Sequence, residues 1–216
     1  MTAGTVILWR HGQTDYNVEG RLQGQVDIPL NATGERQAEL AAEVLTQAHP
    51  TAILTSDLGR AFATAQALGE RTGLPVATDP GVRERSFGVW EGLTHPEVKA
   101  GWPEQFHAWQ SGDHPEGVEA ETRREVGHRV SRTIEAVAAR LSASDVLVVT
   151  SHGAAISCGI AVLLGQDAED WRGITGIGNC HWSVLRHAGG GVPSWRLAAH
   201  NVGVQEADFA RAARIV

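Results

Sequence analysis

Short apolar runs alternate along most of the chain with longer segments of helical periodicity. The runs over 5–9 and 146–150 are typical of strands buried on both faces. Further strands are predicted over 52–55, 76–78, 182–185 and 195–198. Helices are predicted from an N-cap at Thr33 to 48, over 58–71, 121–141 and 154–164, and from 205 onward. This alternation predicts an α/β fold, a three-layer αβα sandwich around a mostly parallel sheet.

Residues 88–117 interrupt the alternation. This stretch is rich in Trp, His, Pro and Gly, and it carries one helix signal, a capping box formed by Thr94 and Glu97. The hydrophobic pattern resumes directly after it. We therefore expect a lid or rim inserted into a single domain that spans 1–216.

Composition narrows the class of partner. The 216 residues carry a formal net charge of −7, which argues against nucleic acid but allows a small anionic substrate. No apolar run reaches the length of a membrane span, and the N-terminus lacks the layout of a signal peptide. The two cysteines, Cys158 and Cys180, fit neither a disulfide framework nor a zinc spacing. A cytoplasmic protein without a membrane partner is the expectation.

Two histidines are each followed by glycine, and both come at the end of an apolar strand. They are His11 and His152. Because the carboxyl ends of parallel strands meet at one edge of a sheet, the two imidazoles should converge there. Arg10 adds a planar cationic group that suits an anion. A lone histidine of this kind is usually structural, and the residues themselves leave His11 open as a base, a metal ligand or a nucleophile.

Two more charged residues follow strand ends. Arg60 opens the helix after the second strand, where a helix N-terminus already favours anions, although an ordinary solvated arginine is the simpler interpretation. Glu84 follows the third strand and precedes the lid. A carboxylic acid at that place could donate a proton, or it could pair with a neighbouring arginine.

A set of motifs in chain order carries a family resemblance. They are Arg10-His11-Gly12-Gln13-Thr14 with Asn17, Ser56-Asp57-Leu58-x-Arg60-Ala61, Arg83-Glu84 and Ser151-His152-Gly153. The set resembles the histidine phosphatase superfamily, which includes the cofactor-dependent phosphoglycerate mutases. The resemblance implies a phosphoglycerate mutase-like fold and a phosphohistidine intermediate.

The resemblance also implies a role for each matching residue. His11 is similar to the nucleophile that accepts the phosphoryl group, and Glu84 to the acid that protonates the leaving oxygen. The residues that would hold the phosphate oxygens are Arg10, Arg60, His152, Asn17 and Gln23, with Glu84 beside them. No metal and no other cofactor is expected, the partner is a small phosphorylated metabolite, and a homodimer is common in the family.

Phosphatases and mutases of this family share the first step and differ in the fate of the phosphohistidine. Mutases typically carry Glu and Trp where this chain has Gln13 and Tyr16, and they have a longer insertion before the second histidine. Hydrolysis is therefore favoured. A mutase and a broad-specificity phosphatase stay as alternatives, as does an inactive regulatory or carbohydrate-binding domain on the same fold.

Segments other than the candidate catalytic residues bear on the alcohol half of the substrate. Arg21-Leu22-Gln23-Gly24-Gln25, Trp90-Glu91-Gly92-Leu93-Thr94-His95 and Gly178-Asn179-x-x-Trp182 resemble a subgroup of phosphatases that act on a sugar–glycerate phosphate ester. Lid tryptophans could stack on a sugar, although packing is their commoner role. Lys99, Arg123 and Arg124 could meet a carboxylate or lie on a solvated face.

Overall fold

A central sheet organises the computed structural model, which describes residues 2–204. Within these residues its strands are β1 (Thr5–Arg10), β2 (Ala52–Thr55), β3 (Val76–Thr78), β4 (Val146–Ser151), β5 (Trp182–His187) and β6 (Trp195–Val202). Their order across the sheet is β3-β2-β4-β1-β5-β6. The first four of these are mutually parallel, whereas β5 runs antiparallel to both β1 and β6. The prediction of a mostly parallel sheet is confirmed.

Helices cover both faces of the sheet and build the lid. They are α1 (Asp15–Glu19), α2 (Ala32–Thr46), α3 (Gly59–Thr72), α4 (His95–Gly101), α5 (Pro103–Ser111), α6 (Arg123–Ala138) and α7 (Gly153–Leu163). Short 3₁₀ turns occupy Pro80–Val82 and Gly88–Trp90. None of the helices in residues 2–204 combines the length and apolar character that crossing a bilayer requires.

The alternation of side chains along β1 explains the three layers. Val6 and Leu8 belong to a buried cluster with residues of α6 and α7, whereas Ile7 and Trp9 belong to a second cluster with residues of α2 and α3. All four side chains are at most 1% exposed. A strand covered on both faces has no polar side to present, and its sequence is therefore apolar throughout.

The lid has a small core of its own. Phe87, Trp90, Val98, Phe106 and Val118 form a third buried cluster, with Trp102 and Trp109 packed against it. The predicted capping box is present: the Thr94 and Glu97 side chains bond each other's backbone N–H at the start of α4. These tryptophans thus have a packing role.

Some helices differ from the sequence prediction, and one predicted helix is not tested. Asn31, not Thr33, caps α2, because its side-chain oxygen accepts a hydrogen bond of 2.9 Å from the Gly34 N–H. Neither α1 nor α5 was predicted. The helix predicted from 205 onward lies outside the described residues.

Candidate active site

His11 and His152 lie side by side in the interior. β1 and β4 pair in parallel with Arg10 opposite Ser151, so each histidine follows its strand at the same edge of the sheet. The ring centroids are 5.1 Å apart with an interplanar angle of 58°. The two residues are only 2% and 0% exposed. The convergence predicted from the two His-Gly pairs is therefore present.

The backbone at His11 is fixed from several directions. The His11 N–H donates to the Ser151 carbonyl at 3.0 Å, and the Gly12 N–H donates to the Thr64 hydroxyl at 3.1 Å. The Asn179 amide donates to the carbonyls of His11 and Gly12 at 3.1 and 3.2 Å. A Cβ on Gly12 would come within 2.4 Å of the Gly34 carbonyl oxygen, so this position requires glycine.

The two imidazoles differ in their hydrogen bonds. His11 Nδ1 lies 2.7 Å from the Gly12 carbonyl oxygen, which can only accept, so Nδ1 carries the proton and Nε2 keeps a lone pair. Neither ring nitrogen of His152 has a hydrogen-bond partner among residues 2–204. Burial lowers the pKa of both histidines well below the usual value, and the nearby Arg10 and Arg60 lower it further. Both rings are neutral near pH 7.

Arg10 and Arg60 bring positive charge to the same place without a carboxylate partner. Arg10 donates to the Ile177 carbonyl at 2.6 Å, and Arg60 donates to the carbonyls of Val26 and Gly24 at 2.7 and 2.8 Å. Within residues 2–204 neither guanidinium forms a salt bridge, and each has a buried Nε without an acceptor. Burial lowers the pKa of both, with Glu84 opposing the shift, and both stay cationic.

Glu84 is held by backbone donors. Its carboxylate accepts from the N–H groups of Arg85 at 2.8 Å, Ala154 at 3.2 Å and Ala155 at 2.9 Å. The last two belong to the first turn of α7, so the helix end fixes the position of the carboxylate. Arg129 donates to the Glu84 carbonyl at 2.7 Å. The alternative of a side-chain ion pair for Glu84 is not present among the described residues.

Asn17 and Gln23 offer neutral donors. The Asn17 side-chain oxygen accepts from the Thr14 N–H and the Asn179 amide, both at 3.1 Å, and the Gln23 oxygen accepts from the Thr14 hydroxyl at 2.9 Å. Their oxygens are thereby occupied, which leaves both NH₂ groups for a ligand. Asn17 also forms the capping box of α1 with Thr14.

These side chains surround one cavity of about 280 Å³. Its walls include Arg10, His11, Asn17, Gln23, Arg60 and Glu84, together with Arg21, Phe87, Gly153, Ala154, Gly176 and Ile177. His152, whose ring centroid lies 5.1 Å from that of His11, is not among the residues that line this space. A larger depression of about 800 Å³ between α2 and α3 contains no member of this set. We call the smaller space the phosphate cavity.

The sequence did not assign a role to the residues that support the site through hydrogen bonds to backbone that is remote in the chain. Asn179 was noted only as part of a resemblance, although it joins the backbone after β1 to Asn17. Thr64 was noted only as part of the motif that contains Arg60, and Arg129 carried no signal, since each acts by bonding backbone that is far away in the chain. Within residues 2–204, no three His, Cys, Asp or Glu side chains are grouped as a metal site would require.

A neutral imidazole with an available lone pair, two unpaired guanidiniums and a carboxylate define a site for phosphoryl transfer. The family model of the histidine phosphatase superfamily (branch 1) matches residues 6–202, and the chain belongs to this superfamily and is a phosphoric monoester hydrolase. The fold class is confirmed with it.

Relatives within the superfamily are similar over most of their length. A glucosyl-3-phosphoglycerate phosphatase of Mycobacterium tuberculosis is 38% identical over 220 residues, which cover 95% of this chain and 97% of that protein. The solved structure of a mycobacterial glucosyl-3-phosphoglycerate phosphatase with VO3 gives a TM-score of 0.82 at 37% identity, covering 92% of this chain and 99% of the other. A probable phosphoglycerate mutase of Yersinia enterocolitica is 39% identical, but over 82% of each chain.

Proposed function

We propose that this chain hydrolyses the phosphate monoester of glucosyl-3-phosphoglycerate through a phosphohistidine on His11. The observation that carries the chemistry is the neutral His11 ring in a cavity with two guanidiniums that have no carboxylate partner among the described residues. The substrate is supported by the relatives that bear this name and align with nearly the whole chain.

The first step forms a bond between His11 and phosphorus. The Nδ1 contact with Gly12 leaves Nε2 free to attack, and the P–N bond forms as the bond from phosphorus to the alcohol oxygen breaks. Glu84 donates the proton that the leaving oxygen needs. Arg10 and Arg60 neutralise the charge on the phosphoryl oxygens, which is the main requirement of this reaction.

The second step returns the enzyme to its starting state. Glu84, now a carboxylate, takes a proton from a water molecule that attacks phosphorus. The P–N bond breaks, inorganic phosphate leaves and Glu84 is again protonated. The NH₂ groups of Asn17 and Gln23 support the oxygens throughout.

A phosphoglycerate mutase is the second candidate. The Yersinia relative supports it, although that likeness covers less of both chains than the phosphatase relatives do. A mutase must keep water away from the phosphohistidine. Release of inorganic phosphate from glucosyl-3-phosphoglycerate and from 3-phosphoglycerate, measured beside formation of 2-phosphoglycerate, separates the two functions.

The test of the chemical assignment is His11→Ala. With added EDTA and an aryl phosphate as substrate, the wild type should release phosphate and the variant should lose nearly all activity. His128→Ala serves as control, because His128 is exposed on α6 and away from the phosphate cavity. Undiminished turnover in His11→Ala would contradict the nucleophile assignment. If the glucosyl ester ranks no better than other phosphate esters, the substrate assignment is wrong.

A homodimer is also part of the proposal. Leu40 on α2 and Phe62 on α3 are 54% and 40% exposed and lie on the same side of the molecule, which supports an apolar contact. Light scattering after size-exclusion chromatography should give twice the chain mass of 23.0 kDa. A measured mass equal to that of one chain would contradict the proposed homodimer.

A further inference from the structure

A second cavity adjoins the phosphate cavity. Its volume is also about 280 Å³, and the two spaces share Gly153, Ala154 and Gly176 as lining residues. A Cβ added to Gly176 would meet no atom within 4 Å, so the chain leaves open space at this boundary. A ligand whose phosphate lies beside His11 can therefore extend into the second cavity, which we call the alcohol cavity.

Two arginines line the alcohol cavity without a carboxylate partner. Arg123, at the start of α6, donates through Nε to the Ala168 carbonyl at 2.9 Å, and its terminal nitrogens donate no hydrogen bond to any described residue. Arg172 donates to the carbonyls of Gly112 and Glu169. Neither forms a salt bridge within residues 2–204. The cavity therefore has uncompensated positive charge.

A third guanidinium, that of Arg85, lies near Arg123 without lining the alcohol cavity. Arg85 is 4% exposed, and its Nη2 has no hydrogen-bond partner in residues 2–204. Burial lowers its pKa most, and the nearby charge of Arg123 lowers it too. Glu169 and Glu84 oppose this shift, so the case for an anionic ligand rests on the free terminal nitrogens of Arg123.

The remaining walls suit a carbon skeleton with hydroxyl groups. Trp171 and Ile174 form an apolar side that packs against the large core cluster. Ser157 and Thr175 add hydroxyl groups. This arrangement suits a hydroxy acid or its glycoside. The carboxylate of such a ligand would pair with the Arg123 guanidinium, and its carbon atoms would contact the indole ring of Trp171.

The three basic residues noted in the sequence, Lys99, Arg123 and Arg124, have different surroundings in the structure. Arg124 is exposed and paired with Asp167 at 2.7 Å, and Lys99 is exposed near the end of α4. Arg123 alone among them lines the cavity that shares lining residues with the phosphate cavity. We infer that the alcohol cavity takes the alcohol half of the phosphate monoester, and that Arg123 binds a carboxylate on that half. The inference rests on the proposed phosphatase function and names the residue that selects hydroxy-acid phosphates.

The direct test compares two substrates that differ at one group. 3-Phosphoglycerate carries a carboxylate where glycerol 3-phosphate carries a hydroxymethyl group. Arg123→Gln should lower kcat/KM for 3-phosphoglycerate by about 10- to 100-fold, the usual value of a hydrogen bond to a charged group, and leave glycerol 3-phosphate within about twofold. Arg124→Gln is the matched control and should change neither, because Arg124 lies outside the alcohol cavity.

A second variant tests the passage between the cavities. Gly176→Leu fills space that no other atom occupies, and it should lower kcat/KM for glucosyl-3-phosphoglycerate by about tenfold or more, a larger factor than its effect on the inhibition constant of inorganic phosphate. Gly101→Leu is the control, since Gly101 also has open space and lines neither cavity.

The outcomes separate this inference from the function on which it rests. Equal losses on both substrates in Arg123→Gln would show a structural role for Arg123 and overturn the inference, as would the absence of any loss. A wild-type enzyme that does not distinguish 3-phosphoglycerate from glycerol 3-phosphate also overturns it, while the phosphatase function stands. A wild type that releases phosphate from no monoester, an aryl phosphate included, overturns both.

Discussion

At the scale of single residues, the site depends on which atoms are left without partners. The His11 ring is fixed by one nitrogen and keeps the other available, whereas both ring nitrogens of His152 lack partners among the described residues. Arg10 and Arg60 are anchored by terminal nitrogens to backbone carbonyls. Buried polar groups without partners cost free energy, and a phosphate bound in the cavity would contact His11, Arg10 and Arg60 together.

Glu84→Gln tests the proton donor. The amide keeps the size of the side chain but cannot donate a proton to an alkoxide, so kcat/KM for alkyl phosphates, which reports the first step, should fall by about 10²- to 10⁴-fold. The kcat/KM for aryl phosphates, whose leaving groups need little protonation, should be affected less. Steady-state kinetics on both substrate types, with inorganic phosphate inhibition as the measure of binding, checks this.

Glu116→Gln is the control for that experiment, because Glu116 is exposed on the lid. Unchanged rates of Glu84→Gln on alkyl phosphates would refute the acid role.

The sequence predicted those site residues that come directly after strands. Arg10, His11 and His152 follow apolar runs, so the parallel sheet alone brings them to one edge. Asn179 was beyond such reasoning, since it bonds a carbonyl 168 positions away through a loop with no regular pattern. The cavity beside Arg123 likewise depends on how the segment after α7 folds back.

At the scale of helices and strands, α6 supports the site by bonding the loop that carries Glu84. Arg129 on α6 donates to the carbonyls of Gly81, Arg83 and Glu84 and pairs with Glu121 at 2.8 Å. The helix begins at a capping box in which Thr122 and Glu125 bond each other's backbone N–H. The position of Glu84 therefore depends on α6 as a whole.

Thr122→Ala removes the cap of α6. Loss of a side-chain cap typically costs about 1 kcal/mol, which should lower Tm by about 2–4 °C in a domain of this size. Thermal unfolding followed by circular dichroism measures the change. Activity at 25 °C should stay within about twofold, because Thr122 does not line the phosphate cavity.

Thr133→Ala, within the same helix but not at its end, provides the comparison for that variant. A Thr122→Ala protein as stable as the wild type would show that the capping box contributes nothing to the native state.

Helices and strands with a regular hydrophobic pattern were predicted well, whereas segments interrupted by glycine and proline were not. β1 and β4 are buried on both faces, and their apolar runs leave no other interpretation. The lid was predicted to carry one helix, but in the structure Pro103 occupies the first turn of a second one, α5, where a missing N–H costs nothing. Asn31 and Thr33 are both good caps, and only the backbone geometry separates them.

At the scale of the whole molecule, two buried neutral histidines make stability depend on pH. The pKa values of His11 and His152 in the native state lie well below the ordinary value near 6.5. As pH falls through that ordinary value, the unfolded chain binds protons that the native protein does not. Stability should therefore fall below about pH 6.5, by up to about 1.4 kcal/mol per pH unit for each histidine.

Urea unfolding at pH 7.5, 6.5 and 5.5 measures this loss. His152→Gln should roughly halve the slope below pH 6.5, whatever its effect on stability at pH 7.5, because one of the two histidines no longer takes up a proton on unfolding. A stability that stays constant or increases from pH 6.5 to 5.5 would contradict the buried neutral state.

The central claim is that His11 accepts the phosphoryl group, and trapping the phosphoenzyme tests it most directly. Glu84→Gln should accumulate the intermediate on an aryl phosphate, because the first step needs no acid while the second lacks its base. Alkaline quenching, digestion and mass spectrometry should then place one acid-labile phosphoryl group on the peptide that contains His11, and none in the double variant His11→Ala, Glu84→Gln. A phosphoryl group on any other residue, or turnover without a phosphoenzyme, would contradict the account.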